Sequence, residues 1–275
     1  MIVQTAITQS ATNEVVVIGE DTDLLILLLY HADLEKHNVY LKSEQKQTSV
    51  KKVKIWDILK AKSNLGGKTC TLLPVIHAFS GCDTTSRMFG IRKGIVLKKL
   101  RSEPEFQDMT TTFMTSTDSR IIAASGEEMM VSLYGGLRYE GLDLLRYRKF
   151  ASKVVVGNIY VQVKSLPPTS DSARFHCLRS YLQCRTWIGN ADDLSPTDWG
   201  WHIDDNKLLP VKGTLPPAPE KLLKIIKCNC KINCDTMRCS CRKHGIECSS
   251  ACGECRGVSC LNSSAPTLND VQESE

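Results

Sequence analysis

Nine of the thirteen cysteines of this 275-residue chain fall in one short segment near the C-terminus. The segment, KCNCKINCDTMRCSCRKHGIECSSACGECRGVSCLN, has too few apolar residues to fold around a hydrophobic core, so disulfides or metal must hold it together. The sequence shows no secretory signal peptide and no membrane-spanning run. We therefore expect an intracellular protein, nuclear or cytoplasmic, and favour metal. The nine cysteines are Cys228, Cys230, Cys234, Cys239, Cys241, Cys248, Cys252, Cys255 and Cys260.

The metal that such a set of thiolates indicates is Zn²⁺, which structural sites hold in a tetrahedron of sulfurs. Nine sulfurs can serve three zinc ions if three of them each bridge two metals. The alternative is two separate four-cysteine sites with one spare thiol. We favour the trinuclear cluster because the pairs Cys228/Cys230 and Cys239/Cys241 hold their sulfurs too close together for independent sites. His244 is either a further ligand or a solvated loop residue.

The cysteine pattern resembles the Tesmin-type CXC domain. It opens with C-x-C, repeats C-x-C and reaches a total of nine cysteines, with wider spacing among the last three. Arg238 stands where that family usually has an aromatic residue before the fourth cysteine. The resemblance implies a DNA-binding module with three structural zinc ions. The nearby basic residues that would contact DNA are Lys231, Arg238, Arg242 and Lys243.

The charge of this region is consistent with a nucleic-acid partner. Between Lys221 and Cys260 there are eight basic residues and three acidic ones, and this excess of five equals the net charge of the whole chain. A basic surface can anchor phosphates. It can also keep a small module soluble, or the module can be a platform that docks another protein. All three interpretations remain open from the sequence.

Strand and helix patterns alternate in the N-terminal half, which predicts a layered α/β fold with a parallel sheet. Val15–Ile18 is expected to be a buried parallel strand, and Asp21 or Thr22 to cap the apolar helix that follows. The all-round apolar segments 21–30 and 69–80 should be buried. Further strands are expected at 39–41 and 53–55, and further helices at 56–62, 69–80, 94–101, 127–133 and 171–188.

Proline-rich stretches near 166–172 and 209–220 predict the joints of the chain. The predicted divisions are an α/β domain at 1–150, a helical connecting region at 151–208, a proline-rich linker at 209–227, the zinc module at 228–262 and a disordered tail at 263–275. In the connecting region we expect Trp199, Trp201 and Ile203 to pack on the main domain, and Cys177 and Cys184 to be buried thiols.

Two short motifs in the N-terminal half carry acidic residues. GEDTDLL places Asp21 and Asp23 just after a strand, and HAFSGCDTTS places Asp83 in a turn after an apolar helix. Carboxylates that converge at the end of a strand suit Mg²⁺ or Mn²⁺, which can support phosphodiester hydrolysis. The alternative is that Asp21 and Asp23 cap a helix and that Asp83 is a turn residue.

Together these motifs resemble the flap-endonuclease branch of the PIN-like nuclease fold. The resemblance implies that Asp21, Asp23 and Asp83 are catalytic metal ligands, and that MFGIRKGIVLKKL grips a nucleic-acid backbone. Its lysines Lys93, Lys98 and Lys99 would then contact phosphates. The family carries an earlier strand and a helix with further acids, so we expect a PIN-like domain that is N-terminally truncated or degenerate.

The combination of the two motif sets resembles mobile-element-associated proteins of invertebrates. The sequence thus predicts a zinc-binding, DNA-associated protein whose nuclease-like domain is incomplete. Two alternatives stay open: a Mg²⁺-dependent, structure-selective DNA endonuclease, and a protein-docking zinc module without nucleic-acid binding. The expected partner is DNA, with no membrane and no small-molecule cofactor.

Overall fold

The computed structural model describes residues 1–45, 52–155, 161–215, 227–231, 233–248, 252–257 and 260–263. The chain divides into two compact units. The first comprises Met1–Tyr139 and Ser172–Gly213, and the second Glu140–Asp171 and Thr214–Glu275. The predicted connecting region is therefore shared between the two units. The predicted disordered tail lies almost wholly outside the described residues, as does most of the predicted linker.

The first unit contains a three-stranded sheet in the order β1-β2-β3. Its strands are β1 (Val15–Ile18), β2 (Val39–Gln45) and β3 (Lys52–Asp57). β1 pairs with β2 in parallel, whereas β2 and β3 are antiparallel. The expectation of a parallel sheet is thus correct for one pair only. The reason is that just six residues connect β2 to β3, and a parallel crossover needs a dozen or more.

β1 lies at the edge of the sheet, and only one of its faces is covered. Val17 is buried, but Val16 and Ile18 on the opposite face are 58% and 71% exposed. The expectation of a buried strand is wrong for this reason: the β-branched run alternates between a face packed on helices and a face open to solvent.

Helices make up most of the first unit. The predicted helices are all present, and their bounds differ by a few residues, with the largest difference in the helix that begins at Ser119. Two helices, Ile2–Gln9 and Pro104–Thr115, have no counterpart among the predictions. Across the described residues, no helix combines the length and apolarity needed to cross a membrane. The helices of this unit are α1 (Ile2–Gln9), α2 (Thr22–His31), α3 (Ile58–Leu65), α4 (Gly67–Ser80), α5 (Lys93–Ser102), α6 (Pro104–Thr115), α7 (Ser119–Leu133) and α9 (Ser170–Trp187, from Ser172 onward).

α4 is the central helix of the first unit. Nearly every side chain from Thr69 to Ser80 is buried, as the all-round apolar sequence predicts. α2 is less buried than expected, because only Leu28 and Leu29 are fully covered. Asp21 caps α2 as predicted, since its Oδ1 accepts a hydrogen bond from the backbone N–H of Asp23 at 2.9 Å.

α9 completes this core through aromatic contacts. Tyr181 lies edge-on to Phe113 of α6 and stacks on Trp199, with ring centroids 4.6 Å apart. The packing expected of Trp199 is therefore confirmed, whereas Ile203 is exposed. It lies on a hairpin of β4 (Trp201–Asp204) and β5 (Lys207–Pro210), which extends into the region predicted as linker. Asp205 and Asn206 turn this hairpin with positive φ angles.

Two of the four cysteines outside the C-terminal segment lie on α9. Cys177 and Cys184 on α9 are both buried, as expected. Burial raises the pKa of Cys184 to about 12 and raises that of Cys177 as well. These thiols are therefore protonated and inert at neutral pH.

The second unit contains α8 (Leu142–Val155), which the sequence patterns did not predict, and the cysteine-rich segment. Near α8, a small apolar cluster of Phe150, Val161 and Leu166 is buried. The cysteine-rich segment has little regular structure among its described residues. In those described residues, the one helix is the single turn α10 (Ser240–Lys243). This part of the second unit must therefore be held by its cysteines.

Candidate metal centre

The nine cysteines of the C-terminal segment come together in space. Seven are buried and the other two, Cys230 and Cys260, are partly buried against them. None forms a disulfide. The cluster therefore takes the place of a hydrophobic core in this segment, although its members are thiols.

The distances between the sulfurs fit a metal rather than disulfides. Cys228 Sγ lies 3.7 Å from Cys234 Sγ and 3.8 Å from Cys248 Sγ, and Cys241 Sγ lies 3.6 Å from Cys252 Sγ. A disulfide would place two sulfurs about 2.05 Å apart. A zinc tetrahedron with Zn–S bonds of about 2.3 Å has sulfur–sulfur edges of roughly 3.8 Å. The residues present thus fit the tetrahedral sites that zinc requires.

Four sets of four sulfurs satisfy the geometry of a single metal site, with all four sulfurs within 4.8 Å of one another. Together they include all nine cysteines, and any two of the sets have at least one cysteine in common. Cys228 and Cys248 each belong to three sets. Two independent four-cysteine sites would instead use separate sulfurs. The sets are Cys228–Cys248–Cys252–Cys255, Cys228–Cys230–Cys234–Cys239, Cys228–Cys239–Cys241–Cys248 and Cys234–Cys248–Cys255–Cys260.

The turns of the backbone around the cluster explain how so many sulfurs converge. Cys234 itself has a positive φ of 54°, as does Arg256 with 48°. Such values are uncommon outside glycine and are retained where surrounding contacts fix the chain. Cys239 precedes α10 and Cys241 lies within it, so one helical turn carries the second C-x-C pair. Arg242 braces this turn by donating to the carbonyl oxygens of Asp235 and Leu261.

Without a metal ion among them, burial favours the protonated form of several of these thiols. Burial raises the pKa of Cys228 to about 12, and it also raises the pKa values of Cys234, Cys241 and Cys248. Cys239 differs, because a backbone hydrogen bond from Arg242 and hydrogen bonds with neighbouring thiols outweigh the effect of burial and lower its pKa to about 7. Thiolates this close to one another need positive charge among them, and a metal ion supplies it.

Three of the four basic residues predicted near the cluster are exposed. Lys231, Arg238 and Lys243 have solvent-accessible side chains. Arg242 is only partly exposed, and its guanidinium is engaged with the two carbonyls described above. Lys231, Arg238 and Lys243 are thus exposed, as is Arg256, whereas Arg242 supports the fold of the metal centre.

The three predicted catalytic aspartates lie in different surroundings. Asp23 Oδ1 lies 2.6 Å from Nε2 of the buried His77, and Asp21 caps α2 beside them. Asp83 is exposed. Among the described residues, the groups of three or more metal-ligating atoms within 4.8 Å consist of cysteines only. The Mg²⁺ or Mn²⁺ site therefore stays a prediction.

His77 links Asp23 to Lys93, a connection that the sequence did not indicate. Lys93 Nζ lies 2.7 Å from His77 Nδ1 and 3.4 Å from Nε2, the nitrogen that faces Asp23. Burial lowers the pKa of His77, and burial also lowers the pKa of Lys93. The contacts fit a neutral imidazole that donates to Asp23 and accepts from Lys93, so that one ring contacts both a carboxylate and a cation. The only signal in the sequence that could have drawn attention to His77 is its position at the start of the HAFSGCD motif.

The lysines that the nuclease resemblance assigns to phosphate contacts differ in availability. Lys93 contacts His77, and Lys99 forms an ion pair with Glu103 at 2.7 Å. Lys98 is exposed on α5. One of the three is thus presented to solvent, and the other two already have partners within the first unit.

Comparisons of the chain with protein-family models, with curated proteins and with solved structures give no match. The two family resemblances therefore depend on their motifs alone. The class of site that the geometry defines is a cysteine-rich centre able to hold metal, in a chain that also carries a mixed α/β unit.

Proposed function

We propose that residues 228–260 form a structural cluster of three zinc ions and nine thiolates, and that this module binds DNA. The observation that supports the three-zinc cluster is the sharing of sulfurs, since any two of the four possible metal-binding sets have a cysteine in common. Three tetrahedral ions need twelve ligand positions, so nine cysteines suffice when three sulfurs each serve two ions. Cys228 and Cys248 belong to the most sets, and we assign them as two of the bridging ligands.

The proposal of DNA binding depends on charge. Lys231, Arg238 and Lys243 are exposed on the module, and the basic excess of the chain is concentrated in this region. Such cations neutralise phosphates without reading bases, so the affinity should depend on salt more than on sequence. Arg238 in place of an aromatic residue supports backbone contacts as its main role.

Salt dependence provides the test of this proposal. For a duplex labelled with fluorescein, we expect the binding constant of the full zinc-loaded chain to fall steeply with salt concentration. Replacing Lys231, Arg238 and Lys243 together with alanine should lower the slope of log K against log salt by about 3, since each lost phosphate contact contributes roughly 0.9. The matched control replaces the exposed Lys207 and Lys212 of the other unit. Absent or salt-insensitive DNA binding would instead favour a protein-docking role.

A second candidate function is a Mg²⁺-dependent nuclease centred on Asp21 and Asp23. It is favoured by the position of both residues directly after the carboxyl end of β1, where ligand sites in α/β sheets occur. Against it, Asp23 is engaged with His77, and Asp83 does not join a compact set of ligands.

We accordingly expect the purified chain to cleave branched DNA in Mg²⁺ no faster than the Asp83→Ala variant does. The measurement is a time course on a labelled flap substrate, with EDTA as the blank. Cleavage that requires Mg²⁺ and disappears in both Asp23→Asn and Asp83→Ala would establish the nuclease and contradict this expectation.

A further inference from the structure

β1 is an edge strand of the sheet in the first unit, and among the described residues its outer edge is open. The backbone N–H groups of Val15 and Gly19 donate to the backbone carbonyl oxygens of Asn38 and Lys42, on the side of β1 that faces β2. Because a strand alternates with period two, the N–H and C=O groups of Val16 and Ile18 point the other way. Within the described part of the chain, β1 has no strand on that side.

The edge lacks the features that usually prevent a strand from joining another. β1 is VVVI, with no lysine, proline or bulge. The opposite edge strand, β3, carries the exposed Lys54. Charged side chains of this kind discourage edge-to-edge pairing. The sheet therefore has one protected edge and one that is competent to pair.

Exposed apolar side chains border the open edge. Val16 and Ile18 are on the uncovered face, and Ile55 of β3, two strands away, is on the same face and 63% exposed. The register places Ile18 beside Lys42 and Lys42 beside Ile55, so the three form one row across the sheet. A strand added to β1 would extend this row with its own outward side chains, and their contact with Val16 and Ile18 would remove apolar surface from water.

The ends of the edge are acidic. Glu14 immediately precedes β1, and Glu20 and Asp21 follow it, all three with exposed side chains. In a symmetric pairing of two copies through the full length of β1, Glu14 of one copy would face Glu20 of the other, and like charges directly opposite are destabilising. The charges therefore disfavour a two-fold dimer and favour a strand that is basic at both ends.

We propose that β1 binds an extended peptide segment of a partner protein by strand addition. The partner segment carries apolar side chains at alternate positions and lysine or arginine at both ends. Main-chain hydrogen bonds to Val16 and Ile18 supply affinity, and Glu14 and Glu20 supply the selection for basic ends.

The test uses two labelled heptapeptides with blocked termini, Lys-Val-Thr-Val-Thr-Val-Lys and Glu-Val-Thr-Val-Thr-Val-Glu, and fluorescence anisotropy with the full chain. The basic-ended peptide should bind about tenfold more tightly, because acidic groups flank the edge. Exchanging Glu14 and Glu20 for lysine should reverse this preference. Equal affinity for both peptides, or binding of neither, would overturn the proposal.

Two substitutions test whether the edge itself is used. Val16→Pro removes an N–H that faces away from β2, so the sheet should persist while peptide binding is lost. Ile18→Lys introduces an edge lysine and should also abolish binding, whereas Ile203→Lys, at a similarly exposed position on the hairpin, should not. Unchanged binding in either edge variant would contradict the proposal. So would light scattering that shows self-association through β1, since a second copy would then be the occupant.

Discussion

Replacing Cys228 with serine is expected to release at least two zinc ions per chain, whereas replacing Cys230 should release about one. The two residues are neighbours in one C-x-C pair, but Cys228 belongs to three of the four possible metal-binding sets and Cys230 to one. A shared sulfur that is lost leaves two ions incompletely coordinated. A sulfur that serves one ion leaves the rest of the cluster intact.

The loss should unfold the cysteine-rich segment, because it has no apolar core to replace the metal. Structural zinc sites contribute on the order of 10 kcal/mol or more to folding in small modules. Zinc released to a colorimetric chelator and amide NMR spectra of the segment provide the measurement. The first unit should keep its spectrum in both variants. Equal zinc loss from Cys228→Ser and Cys230→Ser would contradict the sharing of Cys228.

Acidification is expected to destabilise the first unit by roughly 3 kcal/mol through one residue, His176. This side chain is buried on α9, where its Nε2 lies 2.8 Å from the carbonyl oxygen of Phe79 and its Nδ1 lies 3.0 Å from Ser86 Oγ. Burial, together with the nearby Arg179, outweighs the hydrogen bond to Phe79 and lowers the pKa of His176 from 6.5 to about 4.

The sign of the effect follows from which state binds the proton. Between pH 6.5 and pH 4 the unfolded chain protonates its histidine, while the folded chain keeps His176 neutral. The free energy of unfolding therefore falls as the pH is lowered through this window, and this contribution levels off below about pH 4.

Urea denaturation at several pH values measures the effect, since the midpoint reports stability. His176→Gln removes the titrating group and should flatten the decline, whereas His202→Gln, at an exposed position on the hairpin, should leave it unchanged. Parallel curves for the wild type and His176→Gln would show that His176 does not titrate in the way its burial implies.

The sequence was sufficient where local signals agree with the packing. Asp21 before an apolar run predicts the cap of α2, and the continuous apolar pattern of α4 predicts its burial. Both inferences rest on interactions within a few residues of the chain, which are visible in the sequence itself.

Other elements needed tertiary information. α6 contains the run TTT, which suggests a poor helix, and the hydroxyls of Thr110, Thr111 and Thr115 donate to carbonyls four residues earlier, which does not itself favour a helix. The burial of Phe106 and Phe113 supports this helix. The exposed face of β1 was likewise hidden, because a β-branched run reads the same whether one or both of its faces are covered.

The candidate site also combines features that the sequence predicted with features that only the structure shows. The sequence spacing identified the nine cysteines. Only the structure shows that Cys228 and Cys248 belong to the most metal-binding sets and that these sets overlap. The link from Asp23 through His77 to Lys93 joins residues 54 and 16 positions apart, and no local pattern in the sequence encodes it.

The most direct test of the zinc cluster is the metal content of the purified chain, measured by inductively coupled plasma mass spectrometry against a protein concentration from amino-acid analysis. Sharing of sulfurs predicts about three zinc ions per chain. A content of about two would indicate separate four-cysteine sites with a spare thiol, and a chain without bound metal would contradict the metal centre altogether.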